Sequence, residues 1–270
     1  MWLVLGLLFC GDVSLVFPQQ RDIRLTICQS PGYRGKVVFF APHEDEHVVN
    51  AYLAEKVQNQ GGRFLVLHQN GTRHITLAVG RDRVEVDPNR IFTKRGARAS
   101  VLALNDHLKK GSRLYARSWR RAYALGRFIL KQIKNGQRRP TIVAIHNNTE
   151  GFDDDGAGGI GTVSIHRYQK KLAAGARYIK ALHVGSADED DLFFITEPDD
   201  FEAMKTQPWH IVLQHPRVAR LADEDDGSLS VLSEKKGWRY INIEAQRKPD
   251  DDHLQEQMRM VDFVFDLVQP

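Results

Sequence analysis

The chain has 270 residues, with 38 lysines and arginines, 34 aspartates and glutamates, 11 histidines and 2 cysteines. At 42% hydrophobic and 27% charged it has an ordinary globular composition, which excludes wholesale disorder, a collagen-like repeat and a polytopic membrane protein. The formal excess of +4 is too small, and the basic residues too scattered, to argue for a nucleic-acid partner.

The first run, Trp2 to Phe9, is apolar, too short to span a bilayer, and stands where a secretory leader would stand. Residues 1–20 are therefore expected to be a signal peptide and 21–270 a single catalytic domain. An extracytoplasmic location, periplasmic or secreted, goes with that reading, as does no stable membrane insertion once the leader is removed. No Lys or Arg precedes the run, and the alternative is a buried first strand or helix. Without the leader Cys28 is alone, so an intramolecular disulfide and Cys-ligated zinc are both excluded.

Lys36 to Ala41 (KVVFFA) is a continuous apolar run, the mark of a strand buried on both faces. His47 to Gln60 carries Val48, Val49, Tyr52, Leu53 and Val57 at helical spacing and closes on Gly61-Gly62. Phe64 to His68 reads as a second buried strand. Asn70-Gly71 reads as a hairpin turn with His74 to Val79 returning, and Val84 to Asp87 as a further short strand. Two helices are predicted over Ala97–Lys110 and Arg113–Lys134, the second with a basic outer face. Thr141 to Ile145 (TIVAI) is another buried strand, ending at His146. Leu192–Thr196, His210–Gln214, Leu229–Ser233 and Trp238–Glu244 read as later strands, and His253–Val268 as a terminal helix. The acidic stretches 188–191, 223–226 and 250–252 read as surface turns, and the Asp153–Asp155 loop as a turn rather than a cation cage. The fold class predicted is α/β, a three-layer α/β/α arrangement with a mixed, mostly parallel central sheet.

Chemistry concentrates at four places. His43 and Glu46 are three apart in a strand-to-helix turn, so an imidazole and a carboxylate can converge on one ion. His146 follows another buried strand and offers a third ligand. Asp87-Pro88-Asn89-Arg90 holds an Asn-Arg pair suited to a carboxylate, a planar fork with a directed donor beside it. Tyr240 to Glu244 is an alternating strand that ends in a carboxylate, a candidate general base.

In this order, H-x-x-E, Asn-Arg, a single His and a late Glu, the four elements resemble the zinc carboxypeptidase superfamily, including its succinylglutamate desuccinylase/aspartoacylase branch. The resemblance covers scattered motifs between Val37 and Gln246. It implies one Zn²⁺ held by His43, Glu46 and His146, and a substrate carboxylate gripped by Asn89 and Arg90. It further implies a carbonyl-polarising arginine at Arg81 or Arg83 and a catalytic Glu244. The implied activity is a zinc-dependent metallohydrolase of the carboxypeptidase or amidohydrolase type. Its substrate would be a small peptide or N-acyl amino acid, cleaved at an amide bond next to a free carboxylate. For the family's aromatic substrate-contacting Tyr, Tyr168 is a candidate and no more than that.

Two rivals stand beside this reading. Pro42-His43-Glu44-Asp45-Glu46 also resembles a motif of zinc-dependent N-acetylglucosaminyl deacetylases, in which Asp45 would be the base. That family has Asp at the position of Glu46 and gives no role to Asn89-Arg90 or Glu244. A non-catalytic carboxylate- or glycan-binding protein would be marked by a missing ligand or base, and none is missing.

Overall fold

The structure is a computed structural model that describes residues 13–152, 161–247 and 253–268. Its strands are β1 (Val13–Val16), β2 (Arg24–Gln29), β3 (Val37–Ala41), β4 (Arg63–His68), β5 (Ile75–Val79), β6 (Asp82–Val86), β7 (Thr141–Thr149), β8 (Ile179–His183), β9 (Leu192–Ile195), β10 (His210–Gln214) and β11 (Arg239–Arg247). Its helices are α1 (Asn50–Gln60), α2 (Lys94–Ala103), α3 (Arg113–Lys134), α4 (Ile165–Ala173), α5 (Pro198–Met204), α6 (Leu229–Lys236) and α7 (Leu254–Val268).

Nine strands make one sheet in the order β1-β2-β4-β3-β7-β11-β9-β10-β8, and β5 and β6 pair separately. The centre, β4-β3-β7-β11, is parallel throughout. Only β2, β9 and β10 run against the other six strands. The sheet is therefore mixed with one dominant direction, as the alternation of strands and helices predicts.

Side-chain alternation sorts the core into two sides. On β3, Val38 and Phe40 pack into one cluster under α2, α3 and α6, whose contributions include Val101, Leu125, Ile129 and Leu232. Val37, Phe39 and Ala41 pack into the other, under α1, α5 and α7, with Leu53, Phe201, Val261 and Phe265. Phe39 and Phe40 are both fully buried, each stabilising the fold by about 1.5–3 kcal/mol relative to exposure. The Phe39 ring stacks on Phe265 at 5.4 Å. Helix α3 begins on Ser112, whose side chain accepts the Tyr115 N–H, and ends on a left-handed Asn135 with Lys131 and Lys134 in its last turn. Those charges sit where the helix dipole favours cations.

Several sequence-based expectations are corrected. Leu229–Ser233 is the body of α6 and not a strand: Ser228 caps its start and the left-handed Gly237 its end. The Asn70-Gly71 hairpin does not form, because β5 pairs with β6 rather than returning along β4. The first of the two predicted helices starts earlier, on the Thr93 cap, and stops at Ala103. Strand β7 runs on to Thr149, so His146 lies within it. Asp190 and Asp191 are buried rather than in a surface turn. They accept the backbone N–H groups of Gly151 and Gln246, and burial raises their pKa values to about 7 and about 6 against those bonds. Strands β1, β2 and β8 and helices α4 and α5 had no counterpart in the sequence reading.

The apolar run Trp2–Phe9 lies outside the described residues, as do Asp153–Asp155 and the acidic stretch 250–252. Val13–Val16, inside the span expected to be a leader, pairs with β2, and Phe17 is 2% exposed in the first core cluster. A boundary at residue 21 would remove both. No helix among the described residues is long and apolar enough to cross a membrane.

Candidate metal centre

Parallel register brings the distant ligands together. Phe40 of β3 lies opposite Ala144 of β7, so two steps on, the Pro42-His43 turn stands beside His146. On the other flank Glu244 of β11 lies directly opposite His146. Because alternate residues of a strand share a face, His146 and Glu244 project from the same side of the sheet. Pro42 ends β3, and the loop before α1 turns Glu46 back over the strand end, with the Glu46 N–H on the His43 carbonyl at 3.3 Å.

The result is a buried group of His43, Glu46 and His146 whose ligand atoms all lie within 4.8 Å of one another. Tetrahedral zinc needs ligand atoms about 3.3 Å apart, so the set has to draw in by at most about 1.5 Å. The bonding partners define the tautomers. His43 Nδ1 is 3.0 Å from the Arg73 carbonyl, which can only accept, so Nδ1 carries the hydrogen. His146 Nδ1 is 2.7 Å from Glu46 Oε2. Both Nε2 atoms are buried and have no hydrogen-bond partner. Two buried imidazole lone pairs beside a carboxylate are a costly arrangement unless a ligand satisfies them. The residues therefore fit a metal ion.

Electrostatics agree with that chemistry. Burial pulls His43 down to about 4, and the neighbouring imidazole of His146 adds to this while Glu46 opposes it. Burial likewise lowers His146. Both ligands are thus neutral near pH 7, as coordination requires. Burial raises Glu46, against the pull of His43 and Arg73.

The depressed His43 has a consequence for stability. In the unfolded chain this group takes up a proton near its ordinary value of 6.5, but in the folded protein only near 4. Between those values the unfolded state binds more protons, so stability rises with pH across the window and is lost as pH falls through it. We expect the metal-free protein to lose on the order of 2–3 kcal/mol from this group between pH 7 and pH 4. Denaturant melts at several pH values check this. A His43→Gln variant with the same slope over that window would contradict it.

Glu46 and His146 open onto a cavity of about 540 Å³, and His43 lies behind them, outside its lining. Glu46, His146, Asn89, Arg90, Arg73, Tyr168 and Glu244 all line it. Glu244 Oε1 accepts from Asn242 Nδ2 at 2.8 Å. Burial raises its pKa, His146 opposes the rise and Glu46 reinforces it. Pro88–Arg90 form a single 3₁₀ turn capped by Asp87, whose side chain accepts the Asn89 N–H at 2.8 Å. The buried Oδ1 of Asn89 has no hydrogen-bond partner. Arg90 pairs with Asp226 and lies 3.9 Å from Asp87. Gly227, at φ +85°, and Gly96 lie so close to each other and to the Arg90 carbonyl that a Cβ on either would collide. Glycine at both positions lets the 225–228 loop close on this turn.

Arg81 and Arg83 are not brought to the centre. Both are exposed, around the β5–β6 turn, and neither lines the cavity. The arginine that reaches it is Arg73, which donates to Glu46 Oε1 and holds His43 through its carbonyl. Burial works against its charge, but Glu46, Asp87 and Glu244 outweigh that and hold the guanidinium above its ordinary value. The only sequence signal was its place in the loop after β4, at the strand ends where sites form. Asp45 does not line the cavity; its carbonyl accepts from Arg247 Nη1 at 2.9 Å. Tyr168 does line it, with its ring 6.0 Å from that of Phe194.

No family model and no curated protein matches the chain. Among solved structures it is similar to a candidate metallopeptidase from Shewanella baltica, at 11% identity and a TM-score of 0.44 over 93% of this chain and 85% of that one. It is also similar to an N-formylglutamate amidohydrolase from Ralstonia eutropha, at 13% identity and 0.42 over 90% and 99%. A third is an aspartoacylase family protein from Mesorhizobium loti, at 12% identity and 0.38 over 92% of this chain and 65% of that one.

Proposed function

We propose that this chain is a zinc-dependent hydrolase that cleaves an amide bond, in a small peptide or an N-acyl amino acid, next to a free carboxylate. The observation that carries the reading is the group of His43, Glu46 and His146, with two imidazole nitrogens that lack a hydrogen-bond partner, opening through Glu46 and His146 onto a cavity that also presents Glu244, Asn89 and Arg90.

His43, Glu46 and His146 hold the metal. Bound zinc supplies Lewis acidity and acidifies water. Glu244, raised in pKa by burial, takes the proton from the attacking water and returns it to the leaving amine. Asn242 holds the Glu244 carboxylate in one orientation. Asn89 and Arg90 grip the substrate carboxylate, and Asp226 and Asp87 keep the Arg90 fork in place until substrate arrives. Arg73, rather than Arg81 or Arg83, polarises the scissile carbonyl. An extracytoplasmic location is part of the proposal and rests on the apolar run at the N-terminus.

Metal analysis, paired with a chelator-controlled panel of N-acyl amino acids and short peptides, tests the reading. We expect about one zinc per chain and hydrolysis confined to substrates with a free carboxylate. Amidating that carboxylate should raise KM at least tenfold. Turnover that ignores the carboxylate would remove the role of Asn89 and Arg90, and a metal content near zero would remove the hydrolase reading itself.

A further inference from the structure

A second cavity, of about 790 Å³, lies away from the metal centre between α3, the loop that follows it and the end of α6. Its rim carries Arg127, Lys131 and Lys134 from α3, Arg138 and Arg139 from the loop, and Lys236 from α6. All six are exposed. Among the described residues not one that lines the cavity is acidic, although the chain's charges are close to balanced at 38 basic to 34 acidic. Composition alone therefore does not give an all-cationic rim.

The spacing on α3 explains half of the arrangement. Residues 127, 131 and 134 recur at four and three, so they stand on one stripe of the helix. That stripe has no acid with which to form the usual helix-surface pairs, and like charges at this spacing cost stability. The floor is of a different kind. Trp238, Phe92 and Leu232 are buried there, and the Trp238 indole N–H is already used on the Arg138 carbonyl at 3.2 Å. Apart from the Tyr123 phenol, the polar side chains of this cavity are those of the rim, and three of its six cations are guanidinium forks that match phosphate oxygens in pairs.

We propose that this cavity is a binding site for a small soluble ligand carrying clustered phosphate groups, an oligophosphate. Six cations around one hollow call for charge packed more densely than carboxylates on a peptide supply. The site shares walls with the catalytic cavity without being part of it. Ser228, Ser230 and Val231 of the α6 region face the catalytic side, whereas Leu232 and Lys236 face this one.

Calorimetric titration of the full chain with inorganic tripolyphosphate, and in parallel with ATP, tests the proposal. We expect saturable binding of both that weakens as salt is added. The double reversal Lys131→Glu/Arg139→Glu should lower affinity at least tenfold, with zinc content and hydrolytic turnover unchanged. The matched control Lys180→Glu/Arg259→Glu, which reverses the same charge at two exposed positions outside both cavities, should change it less than twofold. Equal losses in the double reversal and the charge-matched control would reduce the effect to net charge and overturn the site. Binding only to vesicles containing an anionic phospholipid, or only to a single-stranded oligonucleotide, would overturn the ligand class.

Discussion

Replacing Glu244 with glutamine is expected to leave the zinc content of the protein unchanged and to lower kcat by about 10²–10⁴-fold. The amide keeps the size of the carboxylate and can still accept from Asn242 Nδ2 through its oxygen. It cannot take up the proton of the attacking water. A loss of that size corresponds to about 3–5 kcal/mol of transition-state stabilisation, and KM should move little because Glu244 does not hold the substrate carboxylate. The companion variant Asp45→Asn separates the rival motif from this one. Asp45 does not line the cavity, so its amide should stay within a few-fold of the parent. Should Asp45→Asn be the silent enzyme and Glu244→Gln the active one, the base belongs to the turn after β3 and not to β11.

The contrast between those two acids marks where the sequence was readable. Buried parallel strands announce themselves, since KVVFFA and TIVAI leave no polar face. Once β3 and β7 are recognised, His43, Glu46 and His146 stand at or beyond their apolar stretches. Whether those strands are neighbours is a matter of sheet order, which local pattern does not encode. Arg73 was illegible for the same reason: it reaches the site through a loop, and its partners Glu46 and His43 are some thirty residues away in the chain. Helix α6 was misread because Leu229–Ser233 is buried on every side, and a short apolar run buried all round carries no period to distinguish helix from strand. Its caps, Ser228 and Gly237, held the missing information. Asp190 and Asp191 were misplaced because acids read as surface unless one knows that the N–H groups of Gly151 and Gln246 await them.

Removal of the metal is expected to cost stability as well as activity. A ligand that binds only the folded chain stabilises it by about 4 kcal/mol when present at a thousand times its dissociation constant. In a domain of this size that corresponds to a fall in Tm on the order of 5–10 °C when chelator is added. The ligands are well placed to transmit the loss. His146 is 2% exposed and His43 fully buried. Gln257 of α7 donates to the His146 carbonyl at 3.2 Å and accepts from Asn147 at 3.0 Å, which ties the centre to the helix covering the other face of the sheet. His146→Ala should therefore abolish turnover, reduce zinc to trace levels and melt at the same temperature with or without chelator. That insensitivity is the decisive readout, because a substitution that merely loosened the core would lower Tm in both conditions and preserve the difference between them. A variant that keeps the full chelator-dependent shift would show that its imidazole is not a ligand, and the metal would then have to be sought elsewhere in the chain.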